Sequence, residues 1–302
     1  MNIIELDNIT KTYGTHKAVD DLTLHVPKGS IYGFIGPNGS GKTTTIRMIM
    51  NILYPDNGNI KLFGQELIGS RLEKVGYLPE ERGLYKKMKV KELIKFHGEL
   101  KGVQDLDSLA DEWLKKFDLT KWADKKVEAL SKGMSQKVQF IVTIIDLPEI
   151  IILDEPFSGL DPVNAEVIKE VILKLRDQGS TIIFSTHDMS VAEKMCDYIF
   201  MIYKGKKVLD GTLQSIQEKY GSDTIRVQSE MGAKALEGIQ GIDRVNDFGQ
   251  LQEVKMMPQT DSQDVLKTMM AKTRILKFEL TSPSLNDIFI RIARPENNND
   301  HE

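Results

Sequence analysis

Nine consecutive residues, Gly36-Pro37-Asn38-Gly39-Ser40-Gly41-Lys42-Thr43-Thr44, carry the most specific chemistry in the chain. From Gly36 to Thr43 they fit the pattern G-x-x-x-x-G-K-[ST]. The three glycines let the backbone curl so that successive N–H groups turn inward, a concavity suited to an anion. Lys42 can then reach the β- and γ-phosphates of a nucleotide, and the Thr43 hydroxyl can ligate Mg²⁺. The bland alternative is a glycine-rich turn that matches by chance. The flanks argue against it. Ile31-Tyr32-Gly33-Phe34-Ile35 reads as a buried strand entering the loop, and Thr44-Thr45-Ile46-Arg47-Met48-Ile49-Met50 as the helix leaving it, whose N-terminus adds partial positive charge.

Further along, Glu149-Ile150-Ile151-Ile152-Leu153-Asp154-Glu155-Pro156 reads as an apolar strand ending in two carboxylates. That suits a buried parallel strand opening at its C-terminal end on a ligand crevice. Asp154 is placed to hold Mg²⁺ through water, and Glu155 to accept a proton from an attacking water. His187 follows the strand Thr181-Ile182-Ile183-Phe184-Ser185. A lone histidine is usually structural, but one at the end of a buried strand stands where such folds place ligands. Leu130-Ser131-Lys132-Gly133-Met134-Ser135-Gln136 begins a helix whose apolar stripe (Met134, Val138, Ile141, Val142, Ile145) packs a core. Its opening Ser-x-Gly also offers a hydroxyl and free N–H groups, a second possible anion site. Tyr13 before Gly14 is either a face on which an adenine ring can stack or an ordinary turn residue.

These groups need a scaffold, and the composition of the 302 residues suits one. At 40% hydrophobic and 28% charged it reads as an ordinary globular chain of two domains. A net charge of −4 with mixed signs gives no support to non-specific nucleic-acid binding. The single cysteine, Cys196, excludes an intrachain disulfide and a Cys-based zinc site, and reads as a small core residue near a helix end. Met1 leads directly into strand-like Ile3-Ile4-Glu5-Leu6 rather than a signal peptide. The longest apolar runs fall far short of the roughly 20 residues of a membrane span.

Residues 2–30 hold two strand-like segments, the second with Leu22, Leu24 and Val26 alternating with polar residues. Short strands follow at 59–63 and 75–78, the latter ending at Pro79-Glu80-Glu81-Arg82-Gly83. From about Val90 to Asp146 the texture is helical, and the lysines at 86, 87, 89, 91 and 95 read as a solvated face. Asp161-Pro162 opens another helix, running to about Gln178. Beyond 222 the order of segments is β-α-β-β-α-β followed by a last helix, which suggests a ferredoxin-like α+β module. The Asn-rich tail, 294–302, reads as disordered.

With the motifs in order from residue 13 to residue 187, the chain resembles the ATP-binding-cassette (ABC) ATPases, and more narrowly the bacterial export type similar to sodium-extrusion and peptide-antibiotic-resistance subunits. The resemblance implies an α/β P-loop NTPase domain over 1–221, with an antiparallel β subdomain and a helical insert at about 85–148. A C-terminal α+β accessory domain at 222–293 would follow. It implies that Tyr13 stacks on adenine, that Gly36–Thr44 cradles phosphates, and that Asp154 and Glu155 are the metal-side acid and the catalytic base. His187 would sense the γ-phosphate, and Asp161 would belong to a loop at a dimer interface. Ser131 and Gly133 would meet the γ-phosphate of the opposite subunit's ATP. Two positions depart from the family pattern. The signature, usually LSGGQ, reads LSKGM through Lys132 and Met134, and Glu80 stands where a glutamine is expected, still able to ligate Mg²⁺. The implied cofactors are ATP and Mg²⁺. The implied partners are a separate membrane permease and a second copy or homologous ATPase subunit, on the cytoplasmic face of the membrane. A soluble mechanoenzyme would interrupt the core with long coiled coils, and a translation-type factor would carry two cassettes. Neither feature is present.

Overall fold

The computed structural model describes residues 1–67, 72–81, 83–220 and 224–293. The expected tail at 294–302, Arg82 and the linker residues 221–223 lie outside the described residues. The chain divides into two compact units, Met1–Thr212 and Leu213–Glu302.

In the first unit, β1 (Asn2–Tyr13), β2 (His16–Pro27), β3 (Ile31–Ile35), helix α1 (Lys42–Ile49), β4 (Asn57–Leu62), β5 (Gln65–Glu66) and β6 (Val75–Leu78) come first. Helices α2 (Val90–Leu100), α3 (Leu106–Lys116) and α4 (Lys132–Ile144) form the expected insert. After it come β7 (Ile150–Asp154), α5 (Pro162–Asp177), β8 (Thr181–Thr186), α6 (Met189–Met195), β9 (Tyr198–Tyr203) and β10 (Lys206–Gly211). The strands make two sheets. One is antiparallel with order β2-β1-β4-β5, and the other has order β10-β9-β3-β8-β7-β6, parallel except for β10.

Every residue of β3, β7 and β8 is buried, because the sheet is covered on both faces. Strand alternation sorts their side chains. Ile31, Ile151, Leu153, Ile182 and Phe184 join the core beneath α2–α5, while Tyr32, Phe34, Ile150, Ile152 and Ile183 join the core shared with α1 and the antiparallel sheet. Cys196 packs at the edge of the first of these cores, and burial raises its thiol pKa far above the ordinary value. On the insert, Lys91 and Lys95 pair with Asp107 and Asp111 in solvent.

The second unit opens earlier than expected. Helix α7 (Leu213–Tyr220) groups with it, and Gln217 Nε2 donates to Pro283 O at 3.0 Å. It continues with β11 (Thr224–Ser229), β12 (Ile242–Asp247), β13 (Gln252–Met256), α8 (Ser262–Lys272), β14 (Ile275–Thr281) and α9 (Leu285–Ala293). Its sheet is antiparallel with order β12-β13-β11-β14, the order of the ferredoxin-like motif. The first helix of the expected β-α-β-β-α-β order is instead a 3₁₀ turn over Gly232–Leu236, flanked by glycines at 232 and 238 in left-handed conformation.

Removing a branched side chain from the fully buried centre of β7 leaves a cavity that the two cores cannot close. Ile152→Ala is expected to lower the stability of the first unit by about 2–5 kcal/mol, read as a fall in its denaturant midpoint with the transition of the second unit unmoved.

A candidate nucleotide-binding site

Strand β3 delivers the chain into the loop at Gly36, and α1 takes it away at Lys42. Two of the glycines are sterically required. At Gly36 (φ +152°) a Cβ would lie 2.3 Å from the Ile202 carbonyl oxygen, and at Gly41 (φ +112°) a Cβ would lie 2.4 Å from that of Ala18. The loop is thus pressed against β2 and β9, and a side chain at either position would lift it. Within it Lys42 is only 6% exposed, and its ammonium donates to Gly36 O at 2.6 Å and Pro37 O at 3.1 Å. Burial lowers the Lys42 pKa, opposed by the carboxylates of Glu155, Asp154 and Glu80. The cation is therefore preorganised beside three acids.

Two of these acids, Asp154 and Glu155, stand at the end of β7, beside β8. Asp154 is 1% exposed; its Oδ1 accepts from Ser185 Oγ at 2.5 Å, and its Oδ2 has no partner. The same Ser185 oxygen accepts the Glu155 N–H at 3.0 Å. Glu155 sits at φ +51°, a left-handed conformation uncommon outside glycine and asparagine. Its carboxylate oxygen Oε1 is 3.0 Å from His187 Nδ1. One buried hydroxyl therefore clasps both acids, and a histidine on the neighbouring strand end holds the second.

These groups open on one cleft of about 680 Å³, lined by Tyr13, the residues from Asn38 to Thr44, Glu80, Asp154, Glu155 and His187. Gly36 and Pro37 form the base of the loop and hold Lys42. Tyr13 lines the cleft and also closes β1 before a turn at Gly14, so both sequence readings of it describe the same place. Ser131, Gly133 and Asp161 are not brought to this cleft. Ser131 caps α4, accepting the Met134 N–H at 3.3 Å, and Asp161 caps α5, accepting the Asn164 N–H at 3.0 Å. Sequence reasoning missed His16, Ala18 and Ser158 in the lining, and Ser185 behind it. Only Ser185 left a signal, as a polar residue closing an apolar strand.

The donor set fits a hard divalent cation. Asp154 Oδ2 and Ser40 Oγ are buried without partners, and the Thr43 hydroxyl and Glu80 share the cleft. Among the described residues no three His, Cys, Asp or Glu side chains group as a metal cage. Such an ion would complete its shell with water and phosphate oxygens, as Mg²⁺ does.

A glycine loop opening a helix, a buried lysine and two acids at the ends of parallel strands define a P-loop nucleoside-triphosphate-binding protein. Residues 19–158 match the family model "ABC transporter", and residues 211–293 match "ATP-binding protein DrrA1-3-like, C-terminal domain". The chain is 40% identical over 290 residues to an uncharacterized ABC transporter ATP-binding protein, YhaQ, of Bacillus subtilis (strain 168), covering 95% of this chain and 97% of that one. It is 30% identical to the linearmycin resistance ATP-binding protein LnrL of the same organism, covering 96% and 98%. A solved ATP-binding subunit of an ABC transporter superposes with a TM-score of 0.68 at 28% identity, over 72% of this chain and 93% of that one. The chain belongs to the family of ABC transporter ATP-binding proteins, and its nucleotide is ATP.

Two substitutions separate the loop from the acids. Gly41→Ala, which drives a methyl into the Ala18 carbonyl, is expected to weaken ATP binding at least about tenfold, equivalent to roughly 1.4 kcal/mol, in a titration with a fluorescent nucleotide. Ser185→Ala strips Asp154 Oδ1 of its buried donor, for a cost of about 1–3 kcal/mol. It is expected to reduce turnover while leaving Mg²⁺-free ATP affinity near wild type.

Proposed function

We propose that this chain is the Mg²⁺-dependent ATP-hydrolysing subunit of an export-type ABC transporter, bound to a separate membrane permease. The observation that carries the reading is the clasped pair at the end of β7. Asp154 keeps one buried oxygen unpaired while Glu155 is held by His187, in the cleft that the phosphate loop opens on.

In this reading the loop N–H groups and Lys42 bind the β- and γ-phosphates, and Tyr13 stacks on the adenine. Thr43, Asp154 and Glu80 hold Mg²⁺, which supplies positive charge to the phosphate oxygens. Glu155 takes a proton from the water attacking the γ-phosphorus, and His187 orients Glu155 and contacts the γ-phosphate. The signature residues Ser131 and Gly133, with Asp161, lie outside the cleft. They serve the ATP of a second copy or a homologous subunit, closing a dimer around two nucleotides because nucleotide favours the closed state. Hydrolysis then releases it.

No helix among the described residues is long and apolar enough to cross a membrane, so the permease is a separate chain in this reading. It docks near Glu80 and the insert of α2–α4, with the subunit peripheral on the cytoplasmic face. The similarity to a linearmycin resistance subunit favours export over uptake. The mixed charge of −4 offers no basis for nucleic acid as a partner. The insert, three short helices between β6 and β7, lacks the long coiled coils of the mechanoenzymes.

Glu155→Gln keeps shape and loses the proton acceptor. It is expected to bind ATP normally, to lower steady-state hydrolysis by about 10²–10⁴-fold, and to accumulate an ATP-bound dimer on size exclusion. Hydrolysis near the wild-type rate would take the base role from Glu155.

A further inference from the structure

Strand β14 lies at one edge of the second unit's sheet, with β11 on its inner side. An edge strand presents a row of backbone N–H and C=O groups to any strand of matching pattern, and proteins usually blunt such edges with charge or twist. A bulge interrupts β14 between Ile275 and Lys277, but from Lys277 to Thr281 its pairing with β11 is regular. This regular stretch remains an exposed template. Leu276 is 56% exposed and Leu280 51% exposed, a large apolar area on so short a strand.

The residue order of β14 is self-complementary. In an antiparallel pair of two β14 strands centred on Phe278, Lys277 of one copy stands opposite Glu279 of the other, and Glu279 opposite Lys277. Leu280 meets Leu276 of the second copy at the start of the bulge. Within one chain Lys277 and Glu279 already lie on the same face, 2.7 Å apart, so the pairing makes a four-charge alternating cluster without a like-charge contact. The opposite edge, β12, fails the same test. Centred on its exposed Val245, antiparallel pairing sets Asp243 against Asp247 of the second copy, two carboxylates face to face. In these central registers β14 sets opposite charges against one another and β12 sets like charges, and a two-fold contact requires self-complementarity.

We infer that β14 is the contact by which two copies of this chain join through their second units, forming one continuous eight-stranded antiparallel sheet. This contact needs no nucleotide, which separates it from the ATP-dependent closure proposed above. It does not rest on the transport reading.

Sedimentation velocity of the full chain, free of nucleotide and Mg²⁺, tests it. The wild type is expected to dimerise at micromolar concentration. Lys277→Glu or Glu279→Lys alone places like charges opposite one another at two points, and each is expected to weaken the dimer about tenfold or more. An equimolar mixture of these two variants restores opposite charges across the interface and not within either chain, so it is expected to recover the dimer. ATP affinity and circular dichroism should match wild type throughout, since both side chains are in solvent. A monomeric wild type, a dimer indifferent to both reversals, or a mixture that stays monomeric overturns the inference. So does protection of β14 amides from hydrogen exchange only in the membrane-bound complex, which assigns the edge to a strand of the permease.

Discussion

Charge buried at the floor of the cleft is the constraint on which the first unit depends. Lys42 and Asp154 are almost fully buried, and Glu155 retains little exposure. Taking such groups from water is expensive unless fixed partners replace the solvent. The partners here are backbone carbonyls of the loop, one serine hydroxyl and one histidine. All of them sit at the carboxyl ends of adjacent parallel strands, and the strands are positioned by apolar cores on both faces of the sheet. The cores thus hold the polar groups close enough to compensate one another. Two oxygens lining the cleft, Asp154 Oδ2 and Ser40 Oγ, are left without partners, and there that compensation stays incomplete until a ligand supplies it.

Helix α4 extends this constraint into the insert. Its buried Gln136 donates to the carbonyl of Pro156, next to Glu155, at 3.2 Å, and its buried Gln139 approaches the carbonyl of Pro79, next to Glu80, at 3.5 Å. One helix therefore touches the backbone beside both acids and carries Ser131 as its N-cap. Lys137, also buried, donates to Phe117 O at 2.8 Å and ties the helix to the end of α3. A displacement of the insert cannot leave the loops at Glu80 and Glu155 untouched.

What could be read from the sequence follows from how local each feature is. The loop at 36–44, the strand ending in Asp154 and Glu155, and the helix beginning after Ser131 are contiguous, so pattern and chemistry coincide in them. Ser185 was not legible as the clasp, because its role depends on β8 lying beside β7, a pairing between residues about thirty positions apart in sequence. His16 and Ala18 enter the lining through the fold of β2 over the loop, which no spacing encodes. The Ser-x-Gly at 131–133 offers an anion site by its own chemistry, but its assignment to a nucleotide, like that of Asp161, comes through resemblance, and the single chain keeps all three residues outside the cleft. In the second unit the alternation of apolar residues marked the strands and their order. The glycines at 232 and 238, more than any periodicity, decided that its first crossover would be a single turn.

The departure at Lys132 has a physical counterpart elsewhere in the chain. Its side chain runs across Gly159, where a Cβ would lie 2.8 Å from Lys132 Cε and 3.1 Å from Cδ. Gly159 also has φ +75°, so both its conformation and its lack of a side chain make room for the lysine stem. The segment from Ser158 to Asp161 and the start of α4 are therefore packed through a long, cationic side chain, beside the approach of Gly133 to the Gly159 carbonyl. No carboxylate among the described residues pairs with the Lys132 ammonium in the way that Asp107 and Asp111 pair with the lysines of α2. A positive charge thus stands on the surface that carries Ser131 and Gly133, spaced by the same contact that accommodates it. The altered signature and the glycine at 159 form one packing unit, and neither can be understood from its own stretch of sequence.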